Sequence, residues 1–325
     1  MTVPRKELVD ESKPCYYHCW SRCVRRAFLC GKDVITGKSF EHRRGWIVSR
    51  CAFLLQHFAI DMSAYAIMSN HFHSVLRNRP DIAQKWSDEE VARRWLAIFP
   101  KNRRRNSAEP SAEEIEAILL QPKIVAEYRR RLSSISWFHR CLNQWIAKKA
   151  NKEDECSGRF WEGRFRSERL ETTASVIACS IYVDLNPIRA KEAKAPETSD
   201  FTSVQVRIEN CLEVNGKKNK QQKRLHPELL PVREFSADSL SEFEYIALVD
   251  ETGRLVKDAK GQIPPHLSSV LERLKLRPES WLEMQTHKRK LFRRAIGPVA
   301  SLRQLADKMG KQWLHGIKAA QSVFV

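Results

Sequence analysis

The sequence predicts an α+β fold with a mainly helical C-terminal extension. Three observations carry this. Short β-prone stretches at 16–24, 64–76 and 157–171 are separated by segments whose apolar residues recur at helical spacing. Beyond a polar, Lys-rich stretch, NGKKNKQQKR at 215–224, the chain reads as mostly helical. The 325 residues are 42% hydrophobic and 30% charged, ordinary usage for a chain that buries a sizeable core. The length and these shifts predict a first domain at 1–195 carrying a helical insertion at about 80–124, a linker at 196–235 and a second domain at 236–325.

The elements follow in order. In YYHCWSRCV a strand places Tyr17, Cys19, Ser21 and Cys23 on one face. A loop with Gly31 and Gly37 leads to a helix from about Ser39 to Phe58, since Ile47, Cys51, Leu54, Leu55 and Phe58 keep helical spacing. The stretch AYAIMSNHFHSVL, 64–76, reads as a strand. In the insertion, Ser87 with Glu90 and Ser111 with Glu114 are capping boxes that open two short helices, and Trp86 with Val91 suits a hydrophobic staple. Residues 125–150 read as one long helix striped by Tyr128, Leu132, Ile135, Leu142, Trp145 and Ile146. SGRFWEGRFRSERLE reads as a strand, and TTASVIACSIYVDLNPIRA as a helix capped by Thr172 or Thr173 and ended by Pro187. Near the C-terminus, Ala306 and Gly310 stand where a helix-turn-helix places them, and a plain helical hairpin fits as well.

Lys and Arg outnumber Asp and Glu by 57 to 39, a net +18, which points to a polyanionic partner. The excess is +12 in residues 1–195 and +6 in 196–325, so that expectation belongs mainly to the first part. No apolar run approaches the roughly 20 residues a membrane helix needs, and MTVPRKELVDESK holds no apolar signal core, which predicts a cytoplasmic protein without membrane partners. Nine scattered cysteines read as reduced thiols. Cys15, Cys19 and Cys23 are spaced one residue away from the C-x3-C-x2-C pattern of iron–sulfur radical enzymes.

Two segments mix basic and aromatic side chains or concentrate charge. In 157–171, Phe160, Trp161 and Phe165 interleave with Arg159, Arg164, Arg166 and Arg169, which suits base stacking and phosphate contact on a single strand and equally suits an edge strand with a basic outer face. KNRRR at 101–105, with Arg103, Arg104 and Arg105, is a further candidate for phosphate contact.

The chemistry-bearing residues come in two pairs. His71 and His73 flank Phe72 and so share one face of a strand, where two imidazoles can hold a metal ion. Tyr182 and Asn186 are four residues apart on a helix and share its face. A tyrosine hydroxyl is a nucleophile for phosphoryl transfer, and an Asn oxygen is a neutral ligand able to complete a site begun by the histidines.

The segments YYHCWSRCVRRAFL, AYAIMSNHFHSVL, SGRFWEGRFRS and YVDLNPIRA, in this order over about residues 15–192, resemble the REP-associated tyrosine transposases within the single-tyrosine HUH transposases. The resemblance implies an antiparallel sheet with packed helices, the ferredoxin-like HUH palm. It implies His71, His73 and Asn186 as ligands of Mg²⁺ or Mn²⁺, and Tyr182 as the nucleophile. It implies single-stranded DNA beside imperfect hairpins as substrate, with a 5′-phosphotyrosine intermediate, in a bacterial, nucleoid-associated setting. Monomer and homodimer both stay open. The insertion at 80–124 and everything after about 196 depart from compact members of that family. Two other classes fit parts of the pattern: a domesticated DNA-binding protein that does not cleave, and a nucleotide metallohydrolase, which leaves the +12 charge unexplained.

Overall fold

The computed structural model describes residues 8–24, 29–33, 36–100, 109–214, 226–258 and 265–325. Arg103, Arg104 and Arg105 lie outside the described residues, as does the Lys-rich stretch at 215–224.

Strands β1 (Cys15–Arg22), β2 (Ile60–Ile67), β3 (His71–Asn78), β4 (Arg166–Leu170) and β5 (Ala295–Ile296) form one sheet in the order β2-β3-β1-β4-β5. The first four pair antiparallel, as the sequence reading expects, but β5 joins β4 in parallel, so the sheet is mixed. The long helical excursion between β4 and β5 permits this, because parallel neighbours need a crossover connection. The stretch 64–76 is a hairpin rather than one strand. Ser69 and Asn70, turn-forming residues, stand between β2 and β3, and the Met68 amide donates to the His71 carbonyl at 2.8 Å.

Alternation sends side chains to two cores. Tyr17 and Cys19 of β1, Met62, Tyr65 and Ile67 of β2, and Phe72 and Leu76 of β3 enter the first. It is closed by α1 (His42–His57), α2 (Asp88–Ile98), α3 (Ala112–Leu119), α4 (Pro122–Leu132) and α5 (Ile135–Glu153). Ser87 caps α2 through the Glu90 amide, and Ser111 with Glu114 forms the full capping box on α3. The expected helix over 125–150 is two helices, because Ser133 and Ser134 leave the helical region and Ser134 turns extended. All nine cysteines are free. Cys15, Cys19 and Cys23 are buried in the first core, where they pack as small apolar side chains.

The second core lies on the other face of the sheet. Helix α6 (Thr173–Asp184), capped by Thr172 with Ser175, packs there with α7 (Ser203–Val214), α8 (Glu242–Asp258), α9 (Pro265–Arg273), α10 (Pro278–Leu291), α11 (Val299–Lys308) and α12 (Ile317–Val323). Val176, Ile177 and Val183 of α6 share this core with Tyr245, Leu248, Trp281, Met284 and Phe292. Helices on both sides of residue 196 thus bury one another. Between α11 and α12, Gly310 takes φ +61°, a left-handed conformation suited to glycine, and α12 starts only at Ile317, a longer gap than the three or four residues of a helix-turn-helix.

The outer edge of β2 is occupied. The Ile67 amide donates to the Phe201 carbonyl, the Tyr65 amide to Ser203 Oγ, the Leu230 amide to the Met62 carbonyl, and Arg207 to the Ser63 carbonyl, all at 2.8–3.2 Å. None of the described helices is long and apolar enough to cross a membrane.

Because Trp281 is fully buried and donates its indole N–H to Thr252 at 3.0 Å, Trp281→Ala is expected to destabilise the protein by about 3–5 kcal/mol. Urea titration followed by circular dichroism checks this. A transition confined to part of the signal would show that the C-terminal helices do not share the core with the sheet.

Candidate functional site

Strand register builds the site from residues far apart in sequence. On the second face of the sheet, His18 of β1 stands opposite Glu168 of β4, and Trp20 stands opposite His73 of β3. Residues directly opposite in an antiparallel pair share a face, and their diagonal neighbours reach each other when the side chains are long. Glu168, His18 and His73 therefore form a row across β4, β1 and β3. His18 Nδ1 is 3.1 Å from Glu168 Oε2, and His18 Nε2 is 2.9 Å from His73 Nδ1.

Helix α10 closes the row from above. Its inner stripe is Trp281, Met284, Gln285 and Lys288, spaced as one helical face, so a lysine occupies a core position. Lys288 Nζ lies 2.5 Å from Glu168 Oε2 and 3.1 Å from His18 Nδ1. The next residue, Arg289, is exposed and places a guanidinium nitrogen 3.3 Å from His73 Nε2.

With Arg289 at one end and Glu168 at the other, the row is consistent with one set of tautomers. Arg289 can only donate, so His73 Nε2 accepts and His73 Nδ1 carries the proton. That proton is donated to His18 Nε2, and His18 Nδ1–H is donated to the Glu168 carboxylate, which can only accept. Lys288 donates to the same carboxylate. In this arrangement the 3.1 Å approach of Lys288 Nζ to His18 Nδ1 is a close contact rather than a hydrogen bond, because both atoms carry hydrogens.

The charges agree. Burial, with Lys288 nearby, lowers His18 to about 4, and burial lowers His73 well below the usual imidazole range, so both rings are neutral near pH 7. Burial, then Arg289 and Arg22, lowers His71 to about 3. Burial works against ionisation of Glu168, but Lys288 and His18 hold its carboxyl down at about 2. Burial likewise disfavours the Lys288 ammonium, and Glu168 raises it nonetheless.

Tyr182, on α6, is buried at 2% exposure. Its ring meets His73 edge-on at 6.3 Å and His18 at 6.1 Å, with the Arg189 guanidinium 4.2 Å over its face. Asn186 follows the helix in a short turn, Asn186–Arg189, and donates its amide to the Tyr182 carbonyl at 3.0 Å. His71 stands 4.9 Å from His73, ring to ring, with Nδ1 2.5 Å from Asn70 Oδ1. Two residues beyond Tyr182, the buried Asp184 anchors α6. It accepts from Ser203 Oγ, from the Val204 amide at 3.0 Å and from the Tyr245 hydroxyl at 2.7 Å.

Beside this cluster opens a cleft of about 510 Å³ whose lining includes Trp20, Arg22, His71, Arg164, Arg166 and Arg289 together with the carboxylates of Glu162 and Glu192. Arg22 pairs loosely with Glu162. Among the described residues, Arg164, Arg166 and Arg289 pair with no carboxylate. Arg159 is exposed but does not line the cleft. The strand expected over 157–171 reduces to β4, and its aromatics turn inward. Phe160, Trp161 and Phe165 belong to the first core, and Trp161 donates its indole N–H to the Asn143 carbonyl at 2.8 Å. Trp161 therefore offers no stacking face to a base, because burying the large ring in the core outweighs exposing it.

A divalent ion needs several ligands turned toward one point. Among the described residues no group of three or more His, Cys, Asp or Glu is so placed; of the expected set His71, His73 and Asn186, the His73 Nε2 faces a guanidinium, which repels a cation, and the Asn186 amide is turned to the Tyr182 carbonyl. As arranged, these residues do not fit the expected Mg²⁺ or Mn²⁺. His18, Glu168, Lys288 and Arg289 escape the sequence reading. His18 alone had a signal, its place in the strand YYHCWSRC on the face opposite Tyr17 and Cys19.

No protein-family model matches the chain, and no curated protein matches it. Among solved structures it is weakly similar to one described as a REP-associated tyrosine transposase bound to a REP hairpin, at 10% identity and a TM-score of 0.36, over 71% of this chain and 99% of that one. A likeness at this level carries no argument about chemistry.

Two outcomes test this geometry. Lys288→Met leaves the Glu168 charge buried without its partner and is expected to cost about 3–5 kcal/mol, measured by chemical denaturation. Burial, opposed by its hydrogen bonds, raises the Asp184 carboxyl to about 6 from an ordinary 3.8. A raised folded-state value means its stabilising contribution is complete below about pH 4 and is lost as pH rises through about 6. Thermal melts across that window should show the parent falling relative to Asp184→Asn, and parallel curves would refute the assignment.

Proposed function

We propose that the protein cleaves and rejoins single-stranded DNA beside hairpins, with Tyr182 as nucleophile. The supporting observation is the placement of the Tyr182 ring against His73, in a cluster that Arg289 connects to a cleft carrying three arginines without carboxylate partners. Unpaired guanidiniums in a cleft suit phosphodiester oxygens, which they bind bidentately. In the proposed step the Tyr182 oxygen attacks phosphorus and the bond from phosphorus to the 3′-oxygen breaks. The phenol proton leaves, and the departing 3′-oxygen takes up a proton. The product is a 5′-phosphotyrosine and a free 3′-hydroxyl. Since the phosphodiester is exchanged rather than hydrolysed, another 3′-hydroxyl can reverse the step.

The burial of Tyr182 favours a second reading, a DNA-binding protein with this architecture that does not cleave. A gel assay with labelled hairpin DNA carrying a single-stranded flank separates the two. The wild type is expected to give a covalent protein–DNA adduct, and Tyr182→Phe is expected to give none while binding almost as well, since only the hydroxyl is lost. Binding without any adduct from the wild type selects the second reading.

Arg164→Ala and Arg166→Ala are each expected to lower the slope of log affinity against log salt by about 0.7, the share of one phosphate contact on a single strand. Titrations at several salt concentrations give the slopes, and unchanged slopes would move the DNA path out of this cleft.

A further inference from the structure

We propose that Arg289 is the resident cation of the site, so that the cleft holds a nucleic-acid phosphodiester beside His73 without a divalent ion. The inference rests on the reading of the cleft as a single-strand site. Three features of α10 support it. First, His287 leaves the helical region at φ −119° and ψ 19°, a break just before the two basic residues. Second, Lys288 is fully buried and tied to Glu168, so the backbone at 288 is fixed on the sheet. Third, Arg289 follows that fixed point, lines the cleft, and has its guanidinium 5.6 Å from the Trp20 ring as well as 3.3 Å from His73 Nε2.

A guanidinium carries five N–H donors, and His73 receives only one. The remaining donors are available to two oxygens of one phosphate, the geometry at which arginine excels. An ion bound at His73 Nε2 would have to displace Arg289 from that nitrogen, so ion and guanidinium compete for one position. Lys288 acts as a positioning residue: it touches no solvent, and its pairing with Glu168 sets where Arg289 begins.

The test uses the full chain and a fluorescein-labelled oligothymidylate. Fluorescence anisotropy is read in EDTA and in Mg²⁺. The wild type is expected to bind equally in both, Arg289→Ala to bind at least tenfold more weakly in EDTA, and Arg289→Lys to recover part of the loss, since it restores charge without the planar fork. Arg289 is exposed, so its removal leaves both cores intact. Wild-type binding that falls tenfold or more in EDTA, an Arg289→Ala variant that binds like the parent, or no binding at all each overturns the inference. Electron paramagnetic resonance of added Mn²⁺ gives an independent reading. The wild type should leave the ion free, and one equivalent bound by the wild type but released by His73→Ala also overturns it. Failure of the tyrosine chemistry is recognised separately, as oligonucleotide binding in EDTA with no covalent adduct under any condition.

Discussion

An ammonium and a carboxylate meet 2.5 Å apart with essentially no exposure to water, and the position of the candidate site depends on that contact. Lys288 comes from the C-terminal helices and Glu168 from the central sheet, 120 residues apart. Taking both charges out of water is expensive, and only close pairing with further hydrogen bonds offsets it. Such a pair is therefore a strong constraint on geometry even where it adds little net stability. It allows one placement of α10 on the sheet, and that placement brings Arg289 to His73 and a lysine to within 4.8 Å of the Tyr182 ring.

The same contact explains why two neutral imidazoles can be stacked in a row inside the protein. His18 and His73 lie nearly parallel, ring centroids 5.0 Å apart, each with a defined donor and acceptor side. Without the carboxylate at one end, His18 would have a buried N–H and no partner, and the order of donors along the row would be undetermined. The sheet supplies the spacing, and the helix supplies the charge that keeps Glu168 ionised.

Features governed by neighbours in sequence were legible before the structure. The capping residues Ser87, Ser111 and Thr172 stand where expected, since a cap acts within one helical turn. The shared face of His71 and His73 follows from strand alternation alone. What failed involved competition between local and distant preference. Trp161 amid arginines reads equally as a stacking platform or as a core residue, and only the presence of Phe72 5.9 Å away on β3 decides for the core. The break between α4 and α5 at Ser133 and Ser134 was hidden because the apolar stripe runs on through both helices. Lys288 was illegible in kind: a lysine between Gln285 and Lys290 reads as solvated, and its partner lies in a strand 120 residues away.

The occupied margin of β2 bears on how copies of this chain can meet. An unpaired strand edge is a template for another strand, the usual route to shared sheets and to fibrous aggregates. Here the outward groups of β2 from Met62 to Ile67 are already bonded to residues 201–230, and at the opposite side the sheet ends in a strand of two residues, too short to template a third. Among the described residues, growth of the sheet from one molecule into the next therefore finds no long free strand edge at either side.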